Sequence, residues 1–529
     1  MSTQINRQFR TSDGVNAYDP ELVASELVFF YLTNVEPRLG RLFSSRGYTQ
    51  FQSLAATLAG GDQLVGLSFY QLSTRSYVNL YVFSKTSVYW FDFSTALFNV
   101  TPIYTGFVSS LDPYVFLPWY DGLYVTKLLS PYVKLQRRTA TVIADVPSAR
   151  YGLVANSHAY LGGVNDGITS QMAQVRWSDL DDPESFAFDA QASEADFFDL
   201  EPDSLEITGL SYQRSSVFVY TPNTIWAGSY VGFPGGFRHD PVFPGLGAIF
   251  HDCVVRSKEV DYFIGADGIY MLNGLQPVSI GDRIFERFIA DVNVEPVGGD
   301  PTVSVRGYLD SRKNQVFWVY NSTAQGGMWS IVYNYKEQKW SERDPQGVRG
   351  WLDSPRIALR GYDAINNVST TIDSTTTIID NPFDGYPIVL PQLMTAGSKV
   401  GAVSKTSENR LKLDGTAFAH TIETADFYFD DFIAIKEVNK ANLVYTKTGA
   451  ATPQIQVGIR ANQGDAVAWS SAINQSANEG GSSFFFRSAG AGRYIRFRFT
   501  WSNADAIYIT DVRLLSLTKV ENQDVISEK

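Results

Sequence analysis

The sequence has 529 residues and a formal net charge of −12, with 14% aromatic residues, 42 glycines and a single cysteine. This length predicts two or three domains, and the lone Cys253 excludes an internal disulfide. The net negative charge argues against a protein that grips nucleic acid by neutralising its phosphates, because that mode of binding needs a basic footprint.

The chain begins with a polar stretch, MSTQINRQFRTSDG, that lacks the apolar region of a secretory signal. No apolar run approaches the ~20 residues of a membrane-spanning helix, so we predict no membrane insertion. With no disulfide available, the fold must be held by burial alone, as in a protein made in a reducing compartment. Residues 1–33 are predicted to form a loose N-terminal arm.

The clearest local pattern lies at 260–272, where two apolar runs flank a turn that contains Asp267 and Gly268. An Asp-Gly turn between β-rich runs is the strongest short-range indication of a tight hairpin. Just beyond it, Asp282 is positioned to cap a short helix whose apolar side holds Phe285 and Phe288.

Loose copies of this hairpin recur through the first two thirds of the chain. We predict them at 77–83 with 87–93, 115–119 with 123–128, 150–154 with 158–162, 217–220 with 224–227, and 303–309 with 315–320. Their second strands are spaced by roughly 35–65 residues, close to the ~40–50 expected of four-stranded propeller blades with insertions. The pattern predicts an all-β chain with a β-propeller over 34–363, although a jelly roll or a large sandwich would also give many short strands.

The longest insertion, 178–213, is strongly acidic and contains no Lys or Arg. Its carboxylates are Asp179, Asp181, Asp182, Glu184, Asp189, Glu194, Asp196, Asp199, Glu201, Asp203 and Glu206. Two acids about 5–10 Å apart would suit a glycosidase, and Asp181, Asp182 and Glu184 are candidates for that role. A solvated acidic loop is the simpler interpretation, because no regular element is predicted to hold these side chains.

The character of the sequence changes after Trp340. Residues 364–408 include a segment rich in Ser, Thr and Ile that indicates a linker or an extended excursion. About seven short strand patterns follow within 409–520, which predicts a compact C-terminal β-sandwich. Residues 521–529 form a polar tail.

A search for chemistry finds no site. The four histidines (His158, His239, His251 and His420) lie at no metal-ligand spacing from one another or from Cys253. Cys253 stands among apolar residues and is predicted to be a buried, inert thiol. No phosphate-binding loop is present. We therefore predict no catalytic residue, no cofactor and no metal.

Two aromatic motifs carry structural information. Trp177 ends a strand shortly before the Asp182-Pro183 turn, and Trp340 closes a predicted hairpin. Large aromatic side chains dominate burial in small sheets, so both tryptophans are predicted to be blade core and not ligand stacks.

Five stretches, taken in order, resemble the tail nozzle proteins of short-tailed phages, also called packaged-DNA stabilisation proteins or tail tubular protein B. They are PRLGRLFSSRGYTQF (37–51), VRWSDLDDPESF (175–186), VDYFIGADGIYMLNGLQPVSIGDRIFERFI (260–289), YNYKEQKWSERD (333–344) and GRYIRFRF (492–499), the last of which contains Arg493 and Tyr494.

The resemblance implies a β-propeller followed by a β-sandwich, with six copies around a central channel. One end would dock beneath the portal–adaptor ring, and the other would meet the tail tip or tail fibres. The channel would retain packaged double-stranded DNA and conduct it during ejection. The family is not enzymatic, and its place is the virion, assembled in the host cytoplasm.

An acidic lumen suits this role, because each phosphate contact of a basic lumen would add affinity and slow the DNA. The hypothesis is that an acidic loop faces the channel, through Asp179, Asp181, Asp182, Glu184, Asp196, Asp199, Glu201 and Asp203. The alternative is that this loop lies on the outside and serves solubility.

Two other functions stay open at this point. One is a virion-associated propeller glycosidase or depolymerase, which needs two carboxylates converging on a pocket. The other is a receptor-binding tail protein, in which Trp469, Trp501 and Tyr494 would form a sugar platform.

Overall fold

The computed structural model describes residues 7–10, 29–38, 41–44, 48–54, 58, 62–71, 78–92, 97–167, 170–189, 191–200, 206–274, 276–282, 284–294, 304–345, 348–352, 388–391, 402–406, 419–424, 426, 435–447, 453–462, 465–474, 482–485, 491–502 and 507–520. Glu201, Asp203 and the predicted tail 521–529 lie outside these residues.

Five strands come before the first complete blade, and they serve two different parts of the fold. They are β1 (Arg7–Arg10), β2 (Phe29–Thr33), β3 (Val35–Arg38), β4 (Arg41–Ser44) and β5 (Tyr48–Ser53).

Three small antiparallel sheets follow in sequence. Blade I contains β6 (Leu64–Gln71), β7 (Val78–Ser84), β8 (Ser87–Asp92), β9 (Leu97–Phe98) and β10 (Tyr104–Thr105). Blade II contains β11 (Val115–Pro118), β12 (Leu123–Thr126), β13 (Tyr132–Gln136) and β14 (Thr139–Ile143). Blade III contains β15 (Ser148–Ala155), β16 (His158–Asn165), β17 (Ser170–Trp177) and β18 (Asp196–Asp199).

Three more blades continue the series. Blade IV contains β19 (Gly209–Gln213), β20 (Ser216–Tyr220), β21 (Thr224–Gly232) and β22 (Gly236–Pro244). Blade V contains β23 (Val255–Ser257), β24 (Val260–Ile264), β25 (Ile269–Leu272) and β26 (Pro277–Ser279). Helix α1 (Phe285–Asp291) and β27 (Val292–Asn293) lead into blade VI, with β28 (Val305–Asp310), β29 (Gln315–Ser322), β30 (Gly327–Asn334) and β31 (Lys339–Arg343).

The ring is closed by a strand from the other end of the chain. Blade VII combines β32 (Val348–Leu352), β33 (Ile388–Pro391) and β34 (Ala402–Thr406) with β5, in the order β32-β33-β34-β5. Strands β32 and β33 lie against β6 of blade I. The described residues therefore form a closed seven-bladed β-propeller, in which blade VII is completed from the N-terminal side.

Hairpin turns explain why the blade strands pair as they do. Asn156 and Ser157, between β15 and β16, both have positive φ (45° and 61°), and so do Arg214 and Ser215 between β19 and β20 (49° and 64°). Two successive residues of positive φ match the twist of the flanking strands, which fixes a two-residue hairpin and its register. All six predicted hairpins are present, including β24 with β25 across Asp267 and Gly268.

Apolar clusters fill the spaces between neighbouring blades. Phe83 and Val88 of blade I pack with Leu123 and Val125 of blade II in one such cluster. Similar clusters join blade II to blade III and blade III to blade IV. Burial of each large side chain contributes roughly 1.5–3 kcal/mol relative to exposure, so the radial arrangement is held by contacts between the faces of the blades.

The C-terminal strands build a sandwich of two sheets. They are β35 (Ala419–Thr424), β36 (Ile435–Lys447), β37 (Gln454–Arg460), β38 (Ala468–Trp469), β39 (Ile473–Asn474), β40 (Ser482–Phe485), β41 (Ala491–Gly492), β42 (Tyr494–Ser502) and β43 (Ile507–Val520). One sheet runs β3-β4-β43-β36-β40, with β1 also on β43. The other runs β2-β35-β42-β37-β38 and continues through β31 into blade VI, so that a single eleven-stranded sheet spans both domains.

The domain boundaries differ from those expected of the sequence. Strands β1 and β2 of the predicted arm 1–33, and β3 and β4 of the predicted propeller 34–363, belong to the sandwich sheets. Strands β33 and β34, in the predicted excursion 364–408, belong to blade VII. Apart from β3, which pairs with the adjacent β4, these strands are placed by pairing with strands farther along the chain, and composition does not reveal such pairing.

The predicted helix forms, but its start is wrong. Helix α1 has Ile284 at its N-cap with no side-chain cap, and Asp282 instead accepts a hydrogen bond from Ser279. Burial of Ile284 and Phe288 holds the helix against blade VI. No helix within the described residues is long and apolar enough to cross a membrane.

Asn34 ties the two domains together at one point. Its Nδ2 donates to the carbonyl of Ala419 at 2.8 Å, its Oδ1 accepts from the Asp344 amide at 2.8 Å, and its own amide donates to the Glu342 carbonyl at 2.9 Å. Its φ of 56° lies in the left-handed region, which Asn tolerates better than most residues.

We predict that Asn34→Ala lowers the stability of the protein by about 2–4 kcal/mol, because it removes two hydrogen bonds and leaves a Cβ residue in a left-handed conformation. Asn34→Gly is the matched control. Glycine loses the same two hydrogen bonds but adopts a positive φ without strain, so this variant should lower the stability by less. Differential scanning calorimetry of the three proteins measures the effect, and equal melting temperatures would contradict it.

Candidate functional site

A cavity of ≈ 160 Å³ lies at the hub, where residues of β6, β11 and β28 meet. Tyr114, Phe116 and Tyr308 form aromatic parts of its wall, and Asp252 and Arg306 are the charged residues that line it. With one carboxylate among its lining residues, this cavity does not offer the paired acids of a glycosidase. It is also smaller than the ~300–1,000 Å³ of most small-molecule sites.

The acidic insertion 178–213 is a folded part of the propeller and not a single loop. It contains β18, the outer strand of blade III, and β19 of blade IV. Asp196 and Asp199 lie on β18, and Asp199 accepts a hydrogen bond from the Gln174 side chain at 2.6 Å. Asp181 and Asp182 are exposed in the turn that precedes it.

Glu184 belongs to an ionic contact between blades II and III. Its carboxylate accepts hydrogen bonds from Tyr124 Oη at 2.7 Å and from Lys134 Nζ at 2.8 Å. The same ammonium lies 2.6 Å from Asp121. The hydrogen bond from Lys134 lowers the pKa of Glu184 below its ordinary value.

Asp121 and Glu184 are two acids that share one partner, Lys134, but their chemistry is structural. One ammonium sits within hydrogen-bonding distance of both carboxylates and offsets part of their charge. A general acid needs a raised pKa, whereas that of Glu184 is lowered. The arrangement is an interblade ion cluster.

A second network anchors the acidic segment on its other side. Glu194 Oε2 accepts from Tyr230 Oη at 2.8 Å and lies 3.1 Å from His158 Nε2, and its backbone carbonyl accepts from Trp177 Nε1 at 2.7 Å. The amide of Glu194 donates to Asp179 Oδ1 at 2.8 Å. These contacts join blade III to the long hairpin of blade IV.

The aromatic motifs are core, as predicted. Trp177 is 2% exposed and stacks on Tyr160, and the nearby Pro183 is buried. Trp340 is 2% exposed, packs on Tyr333 at 4.8 Å and donates from Nε1 to the carbonyl of Ile280 at 2.8 Å.

The sugar platform that the receptor-binding alternative requires does not form. Trp501 is buried and stacks on His420. Trp469 is covered by the guanidinium of Arg498 at 3.8 Å, and Tyr494, at the start of β42, lies 5.5 Å from that of Arg460. Arg493 immediately precedes β42. These residues stabilise the sandwich.

Cys253 is fully buried, and burial raises the pKa of its thiol to about 12, so the thiol is inert at neutral pH. Among the described residues no cluster of His, Cys, Asp and Glu could hold a metal ion.

Two buried polar residues escaped the sequence analysis. Asp261 is fully buried and accepts hydrogen bonds from Ser211, Gln213 and Tyr220 at 2.6–2.7 Å, joining blade IV to blade V. The single acid in the apolar run VDYFI was the available signal. His239, in β22, shares a hydrogen bond with Tyr160 Oη between blades III and IV and follows no such pattern.

The buried imidazole of His239 generates a pH-dependence. Burial lowers the pKa of His239 to about 4 from 6.5. The unfolded chain therefore takes up a proton as the pH falls through 6.5, and the folded chain does so only near 4, so stability is lost between these values, by up to about 3 kcal/mol.

We predict that His239→Gln, which still accepts a hydrogen bond, removes this acid sensitivity. Urea unfolding of wild type and variant at pH 7 and pH 4.5 measures the effect. Between pH 7 and pH 4.5 the unfolding free energy of the wild type should fall by more than that of the variant. A difference that stays constant with pH would contradict the prediction.

Comparison with known proteins adds the following. No protein-family model and no curated protein matches the sequence. Among solved structures the chain is similar to the Pan2 WD40 domain of Neurospora crassa (10% identity, 70% of this chain and 97% of that chain covered, TM-score 0.37). It is also similar to YCF48 bound to D1 peptide (9% identity, 68% of this chain and 94% of that chain covered, TM-score 0.36). A third similar structure is a GH74 xyloglucanase from Xanthomonas campestris (12% identity, 65% of this chain and 52% of that chain covered, TM-score 0.37). At TM-scores this low the likenesses carry no argument about function, and the propeller is established by the sheet topology.

Proposed function

We propose that the chain is a structural virion protein: a subunit of a phage tail nozzle, arranged as a ring of six below the portal–adaptor ring. In this role it retains packaged double-stranded DNA and conducts it during ejection, and its other end meets the tail tip or fibres. The proposal includes no catalytic role and no cofactor.

The observation that carries the proposal is the continuous sheet between the two domains. Strand β2 pairs with β31 of blade VI on one side and with β35 of the sandwich on the other. Beside it, Lys313 Nζ binds Glu36 at 2.7 Å, and Arg287 of α1 binds the buried Glu342. A wall that contains DNA under pressure needs a subunit without a hinge. A sheet shared by the two domains meets this need, because it joins them rigidly.

The stretches that resemble the nozzle family support the same role. Two of them lie at or beside this junction: 333–344 holds β31, and 492–499 holds most of β42, the strand next to β35. The stretch 37–51 holds β4 of the other sandwich sheet and the start of β5 in blade VII, so it contributes to both domains.

The cavity at the hub of one propeller has a volume of only ≈ 160 Å³. A DNA duplex, whose major groove is alone about 12 Å wide, is too large for such a cavity, so the proposed DNA path does not run through a single propeller. A DNA channel requires several copies around a common axis, with head-to-tail contacts that close a ring.

We predict that the purified chain, alone or with its adaptor ring, forms a six-subunit ring around an opening wide enough for a duplex. Native mass spectrometry gives the number of subunits, and electron microscopy of virions gives the position. A location away from the DNA path, or sugar release by the purified protein, would contradict the proposal.

The acidic segment offers a sharper prediction about the channel wall. If its carboxylates face the lumen, the variant Asp181→Asn, Asp182→Asn, Asp189→Asn should slow DNA ejection at low salt, because repulsion of the phosphates is lost, and the difference should shrink at high salt. Asparagine keeps the hydrogen-bond acceptor of each side chain.

The matched control is Asp240→Asn with Glu259→Gln, which neutralises exposed carboxylates on blades IV and V. Ejection rates of assembled particles are compared at two salt concentrations. An acidic variant that ejects like wild type at low salt would place these carboxylates outside the lumen and leave them a solubility role.

A further inference from the structure

The hub cavity is built from the beginnings of three inner strands. The first strands of neighbouring blades lie against one another, β11 against β15, β15 against β19 and β23 against β28, so they form the inner layer of the ring. The cavity wall takes residues 65–67 of β6, Tyr114 and Phe116 around the start of β11, and residues 306–308 of β28. The cavity therefore joins blades I, II and VI at one end of the hub.

Two residues that line this cavity carry opposite charges, Arg306 and Asp252. Arg306 is only 8% exposed. Burial of a charged group is costly unless groups of opposite charge or good hydrogen-bond partners compensate it. A cationic and an anionic side chain in one small cavity therefore define the kind of molecule that the cavity can accept.

The backbone fixes these two residues side by side. The amide of Gly307 donates to the carbonyl of Asp252 at 2.8 Å, and the amide of Asp252 donates to the carbonyl of Thr208 at 3.3 Å. A Cβ at position 307 would collide with Val255 Cγ2, so glycine is needed for this approach. Asp252 has a φ of 59°, which Asp tolerates better than most residues. The segment that carries Asp252 is thus held directly against the strand that carries Arg306.

The rest of the cavity wall is mostly apolar. The hydroxyl of Tyr114 already donates to the carbonyl of Ser84 at 2.8 Å, so Tyr114 contributes mainly ring surface to the wall. Other apolar side chains of the wall are those of Val65, Leu67, Pro113 and Phe116. An occupant must therefore combine charged groups at one end with an apolar group at the other.

The volume of the cavity limits the size of its occupant. A cavity of about 150 Å³ holds a molecule of the size of benzene. At ≈ 160 Å³, the hub cavity accepts a ligand of roughly six to ten non-hydrogen atoms. This range includes the aliphatic amino acids.

We propose that the hub cavity binds a small apolar α-amino acid in its zwitterionic form. The carboxylate of the ligand pairs with Arg306, its ammonium pairs with Asp252, and its side chain packs on the apolar wall. A guanidinium has five donors and a carboxylate about four acceptor positions, so both residues can bind the ligand and keep hydrogen bonds within the protein.

Charge complementarity favours a zwitterion over a simple ion. A ligand with only a negative charge is repelled by Asp252, and one with only a positive charge is repelled by Arg306. A ligand that carries both charges, spaced by a single carbon atom, is attracted by both residues. Its binding connects blade VI to the segment between blades IV and V, and it contacts blades I and II as well.

The direct test is isothermal titration calorimetry of the full-length protein with L-leucine and L-valine. We expect a dissociation constant of about 10–500 μM for a ligand of this size, and a rise in melting temperature with ligand concentration, because the ligand binds only the folded state. Two analogues of leucine separate the charges: isovalerate lacks the ammonium, and isoamylamine lacks the carboxylate. Each should bind at least about tenfold more weakly than leucine, because one charged hydrogen-bonding partner is lost.

Variants assign each charge of the ligand to its residue. Arg306→Gln should weaken leucine binding by about tenfold or more but leave the binding of isoamylamine unchanged. Asp252→Asn, which retains tolerance of a positive φ, should weaken leucine binding to a similar extent but leave that of isovalerate unchanged. Lys336→Gln is the matched control, because it removes an exposed cation from the turn between β30 and β31 of the same blade. It should bind leucine like wild type.

Three results would overturn the proposal: a wild type that binds neither amino acid at millimolar concentrations, equal affinity for leucine and isovalerate, or an Arg306→Gln variant that binds leucine like wild type. Should Arg306→Gln fail to fold, the analogues and Asp252→Asn decide. The site does not depend on the proposed function, since the number of subunits and the position in the virion are measured separately.

Discussion

Closure of the ring is the constraint on which the rest of the structure depends. A series of blades leaves an open apolar face at each end, and the two faces must meet for the ring to be stable. Here β5, from the N-terminal side, completes blade VII next to β6. The same N-terminal region supplies β2, β3 and β4 to the sandwich. Ring and sandwich are therefore fastened by one stretch of chain, and neither domain is complete without it.

The local sequence pattern predicted the hairpins but not which two strands of a blade each hairpin joins. The hairpins whose second strands begin near 87, 224 and 269 join the second and third strands of their blades. Those whose second strands begin near 123, 158 and 315 join the first and second strands. Because the two kinds of hairpin were treated as one, the spacing between predicted repeats was irregular. Blade VII escaped prediction because β33, β34 and β5 are short and because β5 pairs with β34 over hundreds of residues. The start of α1 was misplaced because burial of Ile284 and Phe288, and not a cap by Asp282, sets it.

The acidic segment shows why charge alone is a weak guide to a site. From sequence, its carboxylates formed one solvated group. In the structure Glu184 reaches Lys134 and Tyr124, 50 and 60 residues away, and Glu194 reaches His158 and Tyr230. Such partners cannot be read from local composition, since they are brought together only by the radial order of the blades. Among the described residues of the segment, the exposed carboxylates are the smaller set Asp181, Asp182, Asp189 and Asp199.

Packing and function impose opposite demands on the rim of this propeller. The cavity at the hub measures only ≈ 160 Å³, so surfaces large enough to meet DNA, a neighbour or a partner protein belong to the outer strands, the turns or the sandwich. Outer strands must resist indiscriminate pairing, and β18, β22 and β26 do so with acids, prolines and short length. A rim strand without these features, as β14 is, carries a standing risk of aggregation that its sequence does nothing to reduce.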